Sequence, residues 1–416
     1  MAVARRPATN PSARVGVLLY LPAGPGSSGV DAIADDQIFD LLFSPDIAAR
    51  FDVVSFDPRG VGRSHPVECD ASVVSQLDRP TPTSQAQFDD LLKAQEAVGA
   101  DCRRRTGSLF DHLDSTNAAR DVDLLRVALG EPSLNLYALS YGTVIGQMYA
   151  EQYPDRIRTM ILDAVFDHSA DSDRFAVTGA LAAQEAFDQF VTWCEGEQTC
   201  ALHDADLRAI VADLFARAGN GALSDPDDSA RKVDPTDLAY RIVSPLTQPN
   251  LPAVAAVISR LAGSKRSQAT TTATSDPNLL RLPVFIECAD NTNSTTSFAR
   301  AEELRGMSRR VAPDVREPAF SIAALCINPP VPATNPQRPL NAPDAPPIMV
   351  MNARYDVSTP YQGAQRVAAQ LNDAVLVTYD GMGHGAATRT QCTRDLAYRY
   401  LTGLQLPARG THCPSA

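Results

Sequence analysis

Ser140 lies in a segment whose residue types favour nucleophilic chemistry. Leu134–Leu139 is short and apolar and predicts a buried strand, whereas residues 143–152 have helical spacing and end before Tyr153-Pro154. Between them, Ala138-Leu139-Ser140-Tyr141-Gly142 predicts a tight turn that projects the serine hydroxyl outward at a helix N-terminus. There the helix dipole and free backbone N–H groups favour developing negative charge. The alternative is an ordinary strand–turn–helix with a serine N-cap.

Asp356 and His384 supply the two groups that a serine nucleophile needs. Each follows a predicted strand, residues 348–352 and 374–379, so the chain order is serine, aspartate, histidine. A neutral hydroxyl attacks a carbonyl poorly, hence a histidine must take its proton and a carboxylate must orient that histidine. Asp163, which also ends a predicted strand, is the rival acid. The remaining histidines lie in polar segments and are expected to be surface residues: His65, His112, His168, His203 and His412.

The predicted elements that would hold these residues alternate between strands and helices, which is typical of a mainly parallel sheet with helices on both faces. The sequence therefore predicts an α/β class. Further predicted strands are Val15–Leu21, Phe51–Phe56 and Thr159–Val165; further helices are 87–100, 116–129, 361–371 and 393–402.

Residues 167–345 differ in character, and we expect them to form a helical cap inserted into the α/β core. Helical stretches at 175–193, 207–218 and 251–261 alternate with polar loops, and a proline-rich run over 328–347 returns the chain to the sheet. The core would then comprise residues 1–166 and 346–416.

Composition excludes several functions. The 416 residues are 44% hydrophobic with no apolar run near 18 residues, so no membrane span is predicted. The net charge of −12 argues against nucleic acid and anionic membranes as partners. No P-loop or His-Glu-x-x-His motif occurs.

Eight cysteines without a Cys-x-x-Cys pair favour disulfides and an oxidising compartment over zinc. Eight cysteines allow 105 pairings. Proximity favours Cys69–Cys102, Cys194–Cys200, Cys288–Cys326 and Cys392–Cys413; the alternative is buried free thiols.

Taken together, the motifs resemble the secreted tripeptidyl-aminopeptidase-like α/β-hydrolases of the prolyl aminopeptidase clan, typical of actinomycetes. The resemblance spans the chain, weakly through the cap. It rests on residues 22–29 (PAGPGSSG), 57–64 (DPRGVGRS), 139–143 (LSYGT), 162–165 (LDAV), 287–290 (ECAD), 356–360 (DVSTP) and 383–385 (GHG).

The resemblance implies that Ser140 is the nucleophile, His384 the general base and acid, and Asp356 its orienting carboxylate. The backbone N–H groups of Gly24 and Tyr141 would form the oxyanion hole. Hydrolysis would proceed through an acyl-enzyme with no metal or organic cofactor.

Three departures from the family pattern stand out. Ala23 and Ala138 replace glycines in the loop and in the serine turn. Relatives carry a leader and strands before the segment Val-Ala-Arg-Arg-Pro, where this chain begins. Either the sequence is truncated or the N-terminal edge strands are missing. We expect a secreted protein whose leader is absent from this chain.

The leading hypothesis is a serine exopeptidase that releases short peptides, tripeptides above all, from free N-termini. A free amine under a cap needs carboxylates to compensate its lost hydration. Glu287 and Asp290 are the candidates, on the expectation that residues 282–286 form a short strand. The alternatives are an esterase, amidase or lactonase that acts on small molecules, and a non-catalytic binding protein. The substrate would be a peptide or a small acyl compound; oligomeric state is left open.

Overall fold

In the computed structural model, the described residues are 1–77, 81–228, 230–263, 279–281 (backbone only), 284–292, 295–316, 326–327 and 329–415. Within them, eight strands form one sheet in the order β1-β3-β2-β5-β6-β8-β9-β10, parallel except for β1. These strands are β1 (Val3–Arg6), β2 (Gly16–Leu21), β3 (Phe51–Phe56), β5 (Leu134–Leu139), β6 (Ile157–Asp163), β8 (Ile348–Tyr355), β9 (Ala374–Met382) and β10 (Thr411–Cys413). A separate antiparallel pair joins β4 (Glu68–Asp70) to β7 (Leu279–Arg281).

Helices connect the strands, and the predicted α/β arrangement is confirmed. Those up to β6 are α1 (Gly29–Ala34), α2 (Asp36–Leu42), α3 (Pro45–Arg50), α4 (Ala71–Val74), α5 (Gln85–Thr106), α6 (Ser115–Leu129) and α7 (Gly142–Gln152). Those after β6 are α8 (Ser172–Gly196), α9 (Leu207–Gly219), α10 (Pro235–Val243), α11 (Leu251–Ala262), α12 (Val284–Asp290), α13 (Phe298–Val311), α14 (Tyr361–Gln370) and α15 (Gln391–Gly403).

Both faces of the sheet are buried because alternate residues of each strand enter different hydrophobic clusters. In β2, Leu19 and Leu21 pack with α6, α7 and α14. Their neighbours Leu18 and Tyr20 pack with α1 to α3 and α15. This double burial explains why the central strands are apolar throughout instead of alternating with polar residues.

The chain leaves the sheet between β6 and β8, where the cap was expected. Helices α8 to α11 share a hydrophobic cluster of their own, which includes Phe187, Phe190, Leu214 and Ile258. The boundaries of the cap at residues 167 and 345 stay a prediction.

Val3–Arg6 forms an edge strand antiparallel to β3, with Val3 opposite Phe56. One expectation needs correction. The strand expected over 282–286 is not present in the described residues, since Val284–Asp290 is helix α12 and residues 282–283 lie outside them. A short apolar run fits a strand or a buried helical turn equally well, and here Ile286 and Cys288 are buried in the helical form.

The eight cysteines form the four disulfides favoured by proximity, Cys69–Cys102, Cys194–Cys200, Cys288–Cys326 and Cys392–Cys413, with no free thiol. These bonds fit an oxidising compartment. Among the described helices, none is both long and apolar enough to cross a membrane.

Candidate active site

Ser140 occupies the turn between β5 and α7 in an unusual backbone conformation. Its φ is 56°, in the left-handed region that residues other than glycine rarely adopt. Its N–H donates to the Asp163 carbonyl at 2.9 Å, and its own carbonyl accepts from the Thr143 N–H at 2.9 Å and hydroxyl at 2.6 Å. These three hydrogen bonds fix the backbone of the turn and so hold the serine side chain at the N-terminus of α7.

Close backbone approach explains the small residues around this serine. A Cβ on Gly142 would lie 2.3 Å from the Leu21 carbonyl oxygen, which no real side chain tolerates. A Cβ on Gly146 would lie 2.8 Å from the Leu162 side chain and 3.4 Å from the Ala138 methyl. Because Gly146 has no side chain, there is space for the Ala138 methyl group. Ala138, which replaces the first glycine of the family's serine turn, therefore fits without strain.

Asp356 and His384 meet at the carboxyl ends of β8 and β9. The His384 Nδ1 lies 2.9 Å from Asp356 Oδ2 and 3.1 Å from Oδ1. The fully buried carboxylate also accepts from the N–H groups of Ser358 and Thr359 at 2.8 and 3.0 Å, and from the Thr359 hydroxyl at 2.9 Å. The acceptor partners of Nδ1 place its proton there, which leaves Nε2 as the basic nitrogen.

The pKa of His384 reflects opposing effects. Burial lowers it, but the charge and hydrogen bond of Asp356, together with the charge of Asp163, raise it above the ordinary value of 6.5. Arg389 opposes the increase. The imidazolium is thus stabilised, as a proton-accepting histidine requires.

Asp163, the rival acid, has a different set of partners. Its carboxylate accepts from the N–H groups of Ala386 and Ala387 at 2.7 and 3.0 Å, and from the Tyr137 hydroxyl at 3.0 Å. Burial raises its pKa, against those hydrogen bonds. Asp163 consequently fixes the loop that follows His384, while Asp356 contacts the imidazole itself.

Gly24 and Tyr141, the expected oxyanion donors, line the same cavity as Ser140. Gly24 has φ 132°, and a Cβ there would lie 2.4 Å from the Gly26 nitrogen, so only glycine fits. Ala23 does not have a positive φ, so its backbone conformation does not require glycine. Tyr141 is the N-cap of α7, so its own N–H has no partner within the helix.

The cavity that joins these residues has a volume of about 600 Å³, the size of a small-molecule or short-peptide site. Ser140 and His384 both line it. Much of the remaining wall is apolar and includes Phe166, Phe175, Tyr240, Val243, Val284 and Val357.

The two acids expected to bind an amine are separated by the structure. Glu287 lines the cavity, half-buried, and among the described residues its carboxylate has no hydrogen-bond or ion-pair partner. Burial and the charge of Asp290 raise the pKa of Glu287 to about 7. Asp290 does not line the cavity.

Asp290 is fully buried and satisfied by donors from three separate parts of the chain. Its oxygens accept from the Ser115 N–H at 2.9 Å and hydroxyl at 2.6 Å, from the Asn335 amide at 2.7 Å and from the Tyr141 hydroxyl. With four donors in place, this carboxylate organises the fold around Tyr141 and has no free lone pair aimed at the cavity.

Several residues of the site were missed from the sequence. The Thr359 hydroxyl donates a hydrogen bond to Asp356, and its oxygen lies 3.3 Å from His384 Nδ1. Thr359 belongs to residues 356–360, a motif already singled out, and this was the available signal. His168, expected at the surface, is buried, and its Nε2 lies 3.0 Å from the carbonyls of Asp290 and Asn335. Nothing in the sequence indicated that contact, since the partners are 122 and 167 residues away.

Such an arrangement can carry out acyl transfer. It offers a hydroxyl at a helix N-terminus, an imidazole held by a buried carboxylate, and backbone donors that line one cavity. The fold and site define a serine hydrolase with the α/β-hydrolase fold.

Comparison with known proteins shows which hydrolases this chain is similar to. Residues 313–413 match the family model described as TAP-like protein. The chain is 29% identical to Serine protease Hip1 of Mycobacterium tuberculosis over 99% of its length and 83% of that protein, and 27% identical to Tripeptidyl aminopeptidase of Streptomyces lividans over 97% and 77%. It is also 28% identical to Carboxylesterase B of M. tuberculosis, over 99% and 82%. The resemblance to tripeptidyl-aminopeptidase-like α/β-hydrolases is confirmed.

Proposed function

We propose that the protein is a secreted serine exopeptidase that releases short peptides, chiefly tripeptides, from free N-termini through an acyl-enzyme. Ser140 is the nucleophile, His384 the base and acid, and Asp356 the carboxylate that orients the imidazole. The relatives named serine protease and tripeptidyl aminopeptidase support a peptide substrate.

One observation carries the exopeptidase proposal. The Glu287 carboxylate has no partner within the part of the chain that the structure describes, and it lies in a largely apolar cavity lined by Ser140 and His384. An acid in such a place is costly unless a cation joins it. The positive amine of a peptide N-terminus is a cation of suitable size. Glu287 would therefore measure the distance from the terminus to the bond that is cut.

The proposed chemistry is acyl transfer to water. His384 Nε2 removes the Ser140 proton as the hydroxyl oxygen attacks the carbonyl carbon, and Asp356 stabilises the imidazolium that forms. The N–H groups of Tyr141 and Gly24 receive the oxyanion. His384 then protonates the departing amine, and a water molecule activated by the same imidazole hydrolyses the acyl-enzyme.

Chromogenic peptides of one, two and three residues, each with a free and an acetylated N-terminus, test this proposal. We expect the free tripeptide to be cut fastest and acetylation to lower kcat/KM sharply. Ser140→Ala should abolish both hydrolysis and labelling by a fluorophosphonate. Equal rates on free and acetylated peptides contradict the exopeptidase assignment, and labelling at another serine contradicts the nucleophile.

Glu287→Gln tests the proposed amine anchor, which is the Glu287 carboxylate that would bind the N-terminal amine of the substrate. We expect kcat/KM for free-amine peptides to fall roughly 10- to 100-fold, about 1.4–2.8 kcal/mol, while a simple acyl ester changes little. An equal loss on both substrates would assign Glu287 to the support of the fold.

A second candidate is hydrolysis of small esters, amides or lactones by the same groups. The aromatic and aliphatic wall of the cavity favours it, as does the relative named Carboxylesterase B. In that case acetylated or amine-free substrates would be the better ones, and Glu287→Gln would raise activity on them or leave it unchanged.

A further inference from the structure

Arg389 links the loop that carries His384 to the segment between α10 and α11. Its Nε donates to the Gly385 carbonyl at 2.9 Å, and one terminal nitrogen donates to the His384 carbonyl at 2.7 Å and to Gln248 Oε1 at 3.2 Å. The planar guanidinium is suited to holding several acceptors in a fixed fork, which a lysine cannot do.

The His384 loop needs such support because its backbone is unusual. The histidine lies between Gly383 with φ 108° and Gly385 with φ 83°, conformations that only glycine adopts easily. Two consecutive residues of this loop thus present carbonyls to one side chain. Without Arg389 those acceptors would lose their charged donor, and the imidazole would lose a constraint on its position.

The segment over residues 247–249 contacts the same loop independently. The His384 N–H donates to the Thr247 carbonyl at 2.7 Å. A Cβ on Gly383 would lie 2.7 Å from Pro249 and 2.8 Å from Arg389, so this glycine is enclosed by both. Thr247 also lines the cavity with Ser140, which places the segment at the substrate site.

We infer that Arg389 is a positioning residue for the histidine base, and that through Gln248 it makes the base's position depend on the segment at 247–249. This rests on the proposed role of His384. A change in the position of this segment would therefore change the position of the base.

Arg389 carries a positive charge close to His384. Its removal should therefore change the pH dependence of the reaction, whereas the loss of an uncharged structural contact should not. Asp356 and Asp163 raise the pKa of His384, Arg389 lowers it, and Glu287 lines the same cavity. Loss of the arginine charge should therefore move the acid limb of the pH–rate profile to higher pH.

The test measures kcat and KM against pH for an acyl ester without an amine, so that Glu287 plays no part. Arg389→Gln should lower kcat roughly 10-fold with little change in KM and raise the pKa of the limb by roughly half to one unit. Arg389→Lys should keep the limb in place yet lower kcat, because the charge remains and the fork is lost. Gln248→Ala should lower kcat about three-fold with no shift of the limb.

Arg409→Gln is the matched control, since Arg409 pairs with Asp373, which precedes β9 and so lies at the opposite end of that strand from His384. It should leave kcat and the limb unchanged. An Arg389→Gln variant with wild-type kcat and limb, or one whose melting temperature falls while its profile stays fixed, overturns the inference. A wild type that hydrolyses the ester without any limb near the histidine range contradicts the proposed function instead, and the inference with it.

Discussion

The hydroxyl of Tyr141 donates a hydrogen bond to the buried carboxylate of Asp290, 149 residues further along the chain. Burial, followed by the charge of Asp290, raises the pKa of Tyr141 well above its ordinary value, so the phenol stays protonated and donates. The side chain that follows Ser140 is thereby tied to α12, the helix that also carries Glu287. The proposed oxyanion donor and the proposed amine anchor share one support.

Tyr141→Phe removes that support without removing the backbone N–H. We expect kcat to fall roughly 5- to 30-fold on an ester and on a free-amine peptide alike, because the donor to the oxyanion loses its fixed position. Steady-state kinetics on both substrates measure this. Asp290→Asn should show the same pattern, in contrast to the substrate-selective loss expected of Glu287→Gln. A loss confined to the peptide would show that Asp290 acts on the amine.

The two buried acids near His384 should differ sharply in mutational cost. Asp356→Asn removes the charge that orients and stabilises the imidazolium, and we expect kcat to fall by roughly 10⁴-fold. Asp163→Asn should cost about 10-fold and lower the melting temperature, since Asp163 bonds the backbone of Ala386 and Ala387 instead of the imidazole. Single-turnover rates of the two variants provide the comparison. The reverse ranking would make Asp163 the orienting acid.

The sequence pattern predicted correctly which polar residues follow the parallel strands. Ser140, Asp356 and His384 each follow an apolar run, and the carboxyl ends of parallel strands meet at one edge of the sheet. Short separations likewise predicted the disulfide partners, because nearby cysteines close the smallest loops. These features depend on local pattern and could be predicted.

The contacts that distinguish Glu287 from Asp290 depend on residues distant in the chain. Asp290 is satisfied by Ser115 and Asn335, which lie 175 and 45 residues away, and no local pattern encodes those meetings. The short run before Glu287 fitted a strand as well as a helix, so even the facing of the two acids was open. Arg389 was missed because two of its partners are carbonyls in an irregular loop and the third, Gln248, is 141 residues away.

The Cys288–Cys326 disulfide fixes α12 and should matter for both stability and substrate selection. A Cys288→Ser/Cys326→Ser double variant should lose roughly 2–4 kcal/mol of unfolding free energy and show a several-fold higher KM for free-amine peptides. Cys392→Ser/Cys413→Ser is the control, because that bond joins α15 to the edge strand β10. It should lower stability and leave the ratio of peptide to ester activity unchanged. Equal ratios in both double variants would separate the disulfide from the anchor.

The pH dependence of kcat/KM should differ between substrates. For an ester, one group must be deprotonated, and its acid limb should lie above pH 6.5 because the pKa of His384 is raised. For a free-amine peptide, Glu287 with a pKa of about 7 must also be ionised, so the limb should steepen toward a slope of two. Acetylation of the peptide, or Glu287→Gln, should restore a slope of one. A slope of one for every substrate contradicts an ionised anchor.

Glu287 should reduce the stability of the free protein, which can be tested by thermal unfolding as a function of pH. Its pKa rises from 4.5 to about 7 on folding, so the folded state binds more protons than the unfolded state between these values. The contribution of Glu287 to stability is therefore most favourable below pH 4.5, falls as pH rises through 7 and then stays at the lower level. Glu287→Gln removes this effect, and its melting temperature should match the wild type at pH 4.5 and exceed it by a few degrees at pH 8.

Glu96→Gln, which replaces an exposed acid on α5, is the control and should show no such difference between the two pH values. A tripeptide with a free amine should restore part of the difference at pH 8 in the wild type alone, because it supplies the missing cation. If the wild type and Glu287→Gln have the same melting temperature at both pH values, the Glu287 charge is already compensated in the free protein. The proposal that this carboxylate binds a substrate amine would then lose its basis.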